Sequence, residues 1–296
     1  MIRKGKQLGR QRFQCKDCNK NFQNKSRKGK LRSKLWEQYV WGKQTVKQLA
    51  DKYHHSIKWI RQELDQAEVS TQVLHPQPVV GIADCTFWGR GYGAIIFRSQ
   101  ALKQNLYWRE IATETSLVYG QGRRRLEATG FTLQAIVVDG KGGVKGVFAD
   151  IPIQHCQFHQ MQTITHYLTT KPKLEASQEL QSISLELTRL DEETLTKLLA
   201  DWHEKWKYFL KERTINSETG KWFYTHKRTR SAYRSLKTNL PYLFTYQKYP
   251  ELNIPNTTNS LDGSFNNLKK LVGIHSGLRK QRRWRVIQEV LTNPKH

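Results

Sequence analysis

The stretch from residue 79 to residue 157 constrains the fold most. Three strand-like runs come first, 79–84, 93–99 and 106–112, with glycines between Trp88 and Gly93 that suit a hairpin turn. A helix over 115–129, a buried strand over 132–138, a short helix over 142–149 and a strand over 152–157 then alternate. Hairpin strands followed by helix–strand alternation predict a mixed α/β sheet with helices packed on it. From 172 to about 250 the spacing turns helical. Leu180, Ile183, Leu187 and Leu190 recur every three to four residues, and Leu195, Leu198, Trp202, Trp206 and Phe209 continue the stripe.

Two of the buried strands run into a carboxylate. Asp84 ends Val79-Val80-Gly81-Ile82-Ala83, and Asp139 ends Leu133–Val138 before the flexible Gly140-Lys141-Gly142-Gly143. A third acid, Asp262, opens a helix in the Asn-rich segment 256–269. Only 55 residues separate Asp84 from Asp139, but 123 separate Asp139 from Asp262, and the helical block fills that longer interval as an insertion in the core. Three carboxylates meeting on a basic protein predict a magnesium site, with manganese as substitute, for cutting or joining nucleic acid. Two such ions clamp the attacking and leaving oxygens of a phosphoryl displacement, and the protein supplies hard oxygen ligands. Glu251 is the rival for the third position, without the Asn-rich surround. Cys156 ends a strand and His159 begins the next helix, so both can face the site; a buried inert thiol and a capped histidine are the alternative.

Charge names the partner. Fifty Lys and Arg against twenty-five Asp and Glu leave +25, which calls for a polyanion such as DNA, because each neutralised phosphate releases counterions. Residues 1–34 hold thirteen bases and one acid, 263–296 hold eight and one, while 173–212 carry nine acids to six bases. In the basic front, Phe13–Phe22 resembles a zinc knuckle between short strands, with Cys15 and Cys18 as ligands. Structural zinc takes four ligands, and Cys85 and Cys156 lie far off, so the pair is half a ribbon or simply two free thiols. Residues 31–66 fit a helix-turn-helix with Thr45 and Ser56 as N-caps, whose second helix offers Lys58, Arg61 and Gln62 to DNA. Residues 67–78 read as a linker. In 221–230 aromatic and basic residues interleave, so Trp222 is a stacking candidate, with Arg228 and Arg230 as phosphate contacts; a core role for Trp222 is the alternative. Arg282 and Arg283 in the basic tail are further backbone contacts, or part of a solvated helix face. No apolar stretch approaches the roughly 18 residues of a membrane span, no signal peptide is present, and four cysteines make no disulfide framework. A reduced, soluble, intracellular protein is expected.

Ala83-Asp84-Cys85-Thr86, Val138-Asp139-Gly140-Lys141-Gly142-Gly143, Cys156-Gln157-Phe158-His159 and Thr257-Thr258-Asn259-Ser260-Leu261-Asp262 resemble, in that order, the motifs of prokaryotic insertion-sequence DDE transposases of the Mutator-like group. The resemblance covers nearly the whole chain. It implies a ribonuclease H-like sheet with an all-helical insertion, preceded by a helical helix-turn-helix module and often a zinc ribbon. It makes Asp84, Asp139 and Asp262 the catalytic metal ligands, although the usual third acid is Glu, and gives Cys156 and His159 a supporting role. It divides the chain into a basic arm with a partial ribbon over 1–30, a DNA-binding module over 31–66, a linker over 67–78, a catalytic core over 79–171 and 251–296, and an insertion over 172–250. It further implies a homo-oligomer acting on element ends and target DNA in a prokaryotic cytoplasm, at the nucleoid. A catalytically decayed DNA-binding regulator and a ribonuclease H-like nuclease are the competing functions.

Overall fold

A computed structural model describes residues 1–7, 10–23, 28–275 and 277–293. Residues 8–9 and 24–27 of the predicted basic arm, and 276 and 294–296 of the predicted core, lie outside the described residues. The chain divides into two compact units, residues 1–71 with 270–296 and residues 72–269.

In the first unit β1 (Ile2–Gln7), β2 (Arg10–Gln14) and β3 (Asn21–Gln23) pair antiparallel in that order. The rings of Phe13 and Phe22 stack across β2 and β3 at 5.9 Å. Helices α1 (Lys28–Val40), α2 (Val46–Tyr53) and α3 (Ile57–Asp65) follow. Both expected caps are present: the Thr45 hydroxyl accepts from the Gln48 N–H in a reciprocal capping box, and Ser56 accepts from Trp59. His54, with φ at 52°, takes the left-handed conformation that stops α2 before the turn.

The second unit is built on β4 (Pro78–Phe87), β5 (Gly93–Ser99), β6 (Gln104–Ile111), α4 (Ser116–Ala128), β7 (Thr132–Val138), α5 (Val144–Val147), β8 (Ile153–His155) and α6 (Gln157–Leu168). The strands form one sheet in the order β6-β5-β4-β7-β8. The β4–β5 and β5–β6 pairs are antiparallel, whereas β4–β7 and β7–β8 are parallel. This is the mixed α/β sheet that the hairpin strands and the helix–strand alternation predict. Between Val79 and Val80 the β4–β7 register shifts, so that Val79 faces Leu133 but Val80 faces Ala135, with Gln134 as the extra residue. One face packs Ala83, Ile95, Phe97, Ile136 and Val138 against Tyr119 and Leu126 of α4. Gly122 permits the close approach there, since a Cβ on it would stand 2.2 Å from the Phe97 ring.

Helices α7 (Glu175–Leu185), α8 (Glu192–Trp206), α9 (Lys227–Leu243) and α10 (Thr245–Lys248) make up the insertion. A two-stranded hairpin, β9 (Arg213–Ile215) with β10 (Trp222–Tyr224), interrupts them, so the segment is not wholly helical. Its core joins Leu180, Leu187, Leu195, Leu199 and Trp202 to Leu236 and Leu243. The expected stripe slips by one residue in α8, where Leu199 is buried and Leu198 is 36% exposed.

Helix α11 (Asn259–Ile274) carries the third acid, and α12 (Lys280–Thr292) closes the chain. Helix α12 belongs to the first unit and not, as predicted for 251–296, to the sheet. Glu289 accepts from the Trp36 indole at 3.0 Å and from Ser70, and the Arg282 guanidinium forks onto Asp65 with both bonds at 2.7 Å. An amphipathic pattern fixes which face of such a helix is buried, not which core receives it.

Candidate functional site

Asp84 lies inside β4, three residues short of its end, because β5 continues to pair it with Ile96. On the parallel side the ladder stops at Ile82 and Val137, and carrying its register two residues on sets Asp84 level with Asp139. Side chains alternate along strands, so the two carboxylates share the face of Ile82 and Val137, away from α4. Asp139 is turned by the loop it opens. Its Oδ1 accepts from the Lys141 N–H at 2.9 Å, and Gly140 adopts φ 84°, where a Cβ would crowd the buried His155 ring at 3.2 Å.

The third strand-end position supplies the fastening. Cys156 caps α6 with its sulfur, which accepts from the His159 N–H at 3.5 Å and from both the N–H and the hydroxyl of Thr258 at 3.3 Å. The Thr258 hydroxyl also lies 3.3 Å from His159 Nδ1 and 3.1 Å from Asp262 Oδ2. Two more bonds zip the segment before α11 to α6: Gln157 N–H to the Asn256 carbonyl and the Asn256 amide to Gln157 Oε1, both 3.0 Å. Asp262 is thereby brought beside Asp84 from 178 residues away in sequence. Ligand atoms of Asp84, His159 and Asp262 all lie within 4.8 Å of one another. Among the described residues this is the group of three or more His, Cys, Asp and Glu that a metal ion could bridge; Asp139 stands beside it and outside that limit.

Electrostatics follow from the crowding. Burial, helped by the charges of Asp139 and Asp262, pushes the Asp84 carboxyl up to about 7, against the pull of His159 and the Cys85 N–H. His159 is raised to about 9, first by its hydrogen bond to Cys156 and then by Cys156, Asp84 and Asp262 as charges. Burial alone would raise the Cys156 thiol, but bonds from His159 and Thr258 outweigh it and lower it. Both shifts run toward the charged forms, and a positive His159 ring partly balances the acids.

Glu114, in the loop between β6 and α4, is a fourth acid that no sequence pattern marked. It accepts from the Tyr119 hydroxyl at 2.9 Å and faces Lys141 at 3.8 Å. Burial first, and Asp139 second, raise its carboxyl. Its one signal is position, three residues past the end of β6 and directly before the Thr115 cap. Glu251 lies exposed on a short 3-10 turn and outside the group.

The residues predicted to hold DNA divide. Lys58, Arg61 and Gln62 are exposed on α3 and line a cleft of about 640 Å³ together with Arg279. Arg282 is buried in its fork with Asp65 and offers no free guanidinium, and Arg283 is half-buried. Trp222 is 52% exposed on the hairpin, with the Arg213 guanidinium 4.0 Å above its ring, so the core alternative for it fails. Arg230 lies 3.6 Å over Tyr224 and donates to the Leu210 carbonyl, while Arg228 is exposed and donates to His166. Cys15 and Cys18 sit on the β2–β3 turn, and among the described residues no group of three or more ligands includes them. Two thiols do not fit a closed zinc site, which needs four donors.

No protein-family model matches the chain, and no curated protein matches it. Among solved structures it is similar to a Drosophila P element transposase strand transfer complex, at 11% identity and a TM-score of 0.30, over 81% of this chain and 86% of that chain. No helix among the described residues is long and apolar enough to cross a membrane.

Proposed function

We propose that the chain is a DNA transposase that binds the terminal inverted repeats of a mobile element and catalyses metal-dependent strand cleavage and transfer. The observation that carries this reading is the approach of Asp84, His159 and Asp262 within 4.8 Å, with Asp139 level with Asp84 on the next strand. The donor set suits a divalent cation: a buried carboxylate pushed up to about 7 by burial and like charges is a site short of positive charge. Asp84 and Asp262 would be the hard oxygen ligands, with Asp139 the neighbour able to complete them, and carboxylate oxygens of this kind take magnesium or manganese. Bound there, such an ion supplies charge neutralisation and an activated oxygen nucleophile.

The chain's own residues do the rest. Thr258 and Cys156 hold His159 and Asp262 in place, and Lys141 on the glycine loop is positioned to meet a phosphate. Attack of water on a phosphodiester breaks the P–O3′ bond and leaves a 3′-hydroxyl. That hydroxyl then attacks a target phosphodiester, forming one bond as another breaks. The exposed α3 residues Lys58, Arg61 and Gln62 fit groove contacts, and Trp222, Arg228 and Arg230 fit contacts to distorted ends. A homo-oligomer is part of the proposal, since two ends must be cut together.

The test is nicking of DNA carrying the sequences that flank the gene, in magnesium and in manganese. Cleavage is expected from the parent chain and abolished by Asp84→Ala, with DNA affinity kept within a few-fold. Binding without cleavage in either metal would instead identify a decayed regulator, and cleavage of RNA hybrids alone a ribonuclease H-like nuclease.

A further inference from the structure

The insertion carries a basic cleft of whose cations only Arg230 has a role above. Lys207 and Lys211 line one side of it and Arg230, Arg234 and Lys237 the other, above Leu210 and Tyr233. We infer that this cleft is a second DNA-binding surface, taking the phosphate backbone of a strand; the inference rests on the DNA-handling function proposed above.

Charge placement is the first argument. Helix α9 bears five cations and no acid in its 17 residues, within an insertion whose preceding segment 173–212 is acidic. Arg230, Arg234 and Lys237 recur at i, i+4 and i+7, so they form a row about 10 Å long on one helix face. Like charges at such spacing repel and destabilise a helix. The first turn adds Lys227 and Arg228 at the positive end of the helix dipole, where acids are favoured. A folded chain keeps this arrangement at a cost, which a polyanion along the row removes.

Pairing is the second argument. Glu204 engages Lys207, and Arg230 is fixed by the Leu210 carbonyl and the Tyr224 ring. Arg234 and Lys237 are exposed and have no ion-pair partner among the described residues. Shape is the third. The hollow measures about 260 Å³, below the range of pockets that enclose a cofactor, and its cations lie in a row rather than around a point. A single anion would use one or two of them, whereas successive phosphates use the row. Arg230 also joins the cleft to the hairpin, where Trp222 and Phe223 expose their rings. Cations along a groove with exposed rings at one end are the features that hold a nucleic-acid strand.

The experiment measures affinity for a fluorescent duplex of arbitrary sequence, and for one of its strands alone, as a function of salt. Neutralising Lys211, Arg234 and Lys237 together to Gln is expected to lower the slope of log K against log salt by about 2–3, since each lost phosphate contact removes about 0.7–0.9. The charge-keeping triple, Lys211→Arg with Arg234→Lys and Lys237→Arg, should retain the parent slope. A control triple away from the cleft, Lys171 just before the insertion with Lys173 and Lys197 on it, all to Gln, should shift it little. An unchanged slope in the cleft triple, an equal fall in the control triple, or a fall in the charge-keeping triple would each overturn the cleft while leaving the transposase reading intact. Failure of the parent chain to bind DNA at all would overturn both.

Discussion

Asp84→Asn should make the metal-free protein more stable while destroying its response to divalent cations. In the parent chain the Asp84 carboxyl is 6% exposed and its value rises from the usual 3.8 to about 7, mostly through burial. That difference corresponds to about 4 kcal/mol by which the folded state disfavours the ionised group at neutral pH. Asparagine keeps an oxygen for the Cys85 N–H, now 2.7 Å from Asp84 Oδ1, and carries no charge. Because the folded value lies above the unfolded one, the native state holds more protons between about pH 4 and 7, and stability falls as pH rises through that window. The variant's gain is therefore absent near pH 4 and complete above about pH 7. For a unit spanning residues 72–269, about 4 kcal/mol is a rise in Tm on the order of 8–16 °C. Thermal unfolding in a chelator, at about pH 4 and about pH 8, reads it directly. Adding manganese should then stabilise the parent, by RT ln(1 + [L]/Kd), and leave the variant where it was. Equal Tm for the two proteins at the higher pH, or an equal manganese response, would refute the account of Asp84 as a strained ligand.

Two further outcomes test the surroundings. Thr258→Val removes the hydroxyl that meets Cys156, His159 and Asp262 and should cost about 1–3 kcal/mol in denaturant melts and about 10–100-fold in cleavage, with Thr258→Ser restoring most of both; undiminished cleavage by Thr258→Val would remove the threonine from the site's support. Gly122→Ala drives a methyl to 2.2 Å from the fully buried Phe97 ring and should cost about 1–3 kcal/mol in urea unfolding, and an unaltered midpoint would show that α4 yields freely.

What was legible in the sequence follows the range of the interactions. Strand β7 spans Thr132–Val138 as its apolar run indicates, and the caps at Thr45 and Ser56 are local chemistry. The hairpin–crossover order also reads directly, because it is periodicity in series. His159 was legible as a residue able to face the site, but not as the intimate partner of Asp84 and Asp262. By residue order that partner is Asp139; by geometry it is His159, because the cap on α6 and the Thr258 bridge turn that ring inward. Glu114 escaped because polar neighbours in a short loop leave no pattern. Arg282 was misread because its partner, Asp65, lies 217 residues away, and charge in a sequence does not distinguish a paired guanidinium from a free one. The β9–β10 hairpin was masked by the helical periodicity on both sides of it.

The spare residue in β7 has a consequence for chemistry. Continued from Val79 and Leu133 without the bulge, with Gln134 opposite Val80, the ladder would bring Asp84 opposite Val138, and Asp139 would fall one step out of phase. Since a single step reverses the side of the pleat, the two acids would then point through opposite faces of the sheet. Alignment of the two acids is thus indexed by an irregularity four residues upstream of Asp84, where only aliphatic side chains and one exposed glutamine meet.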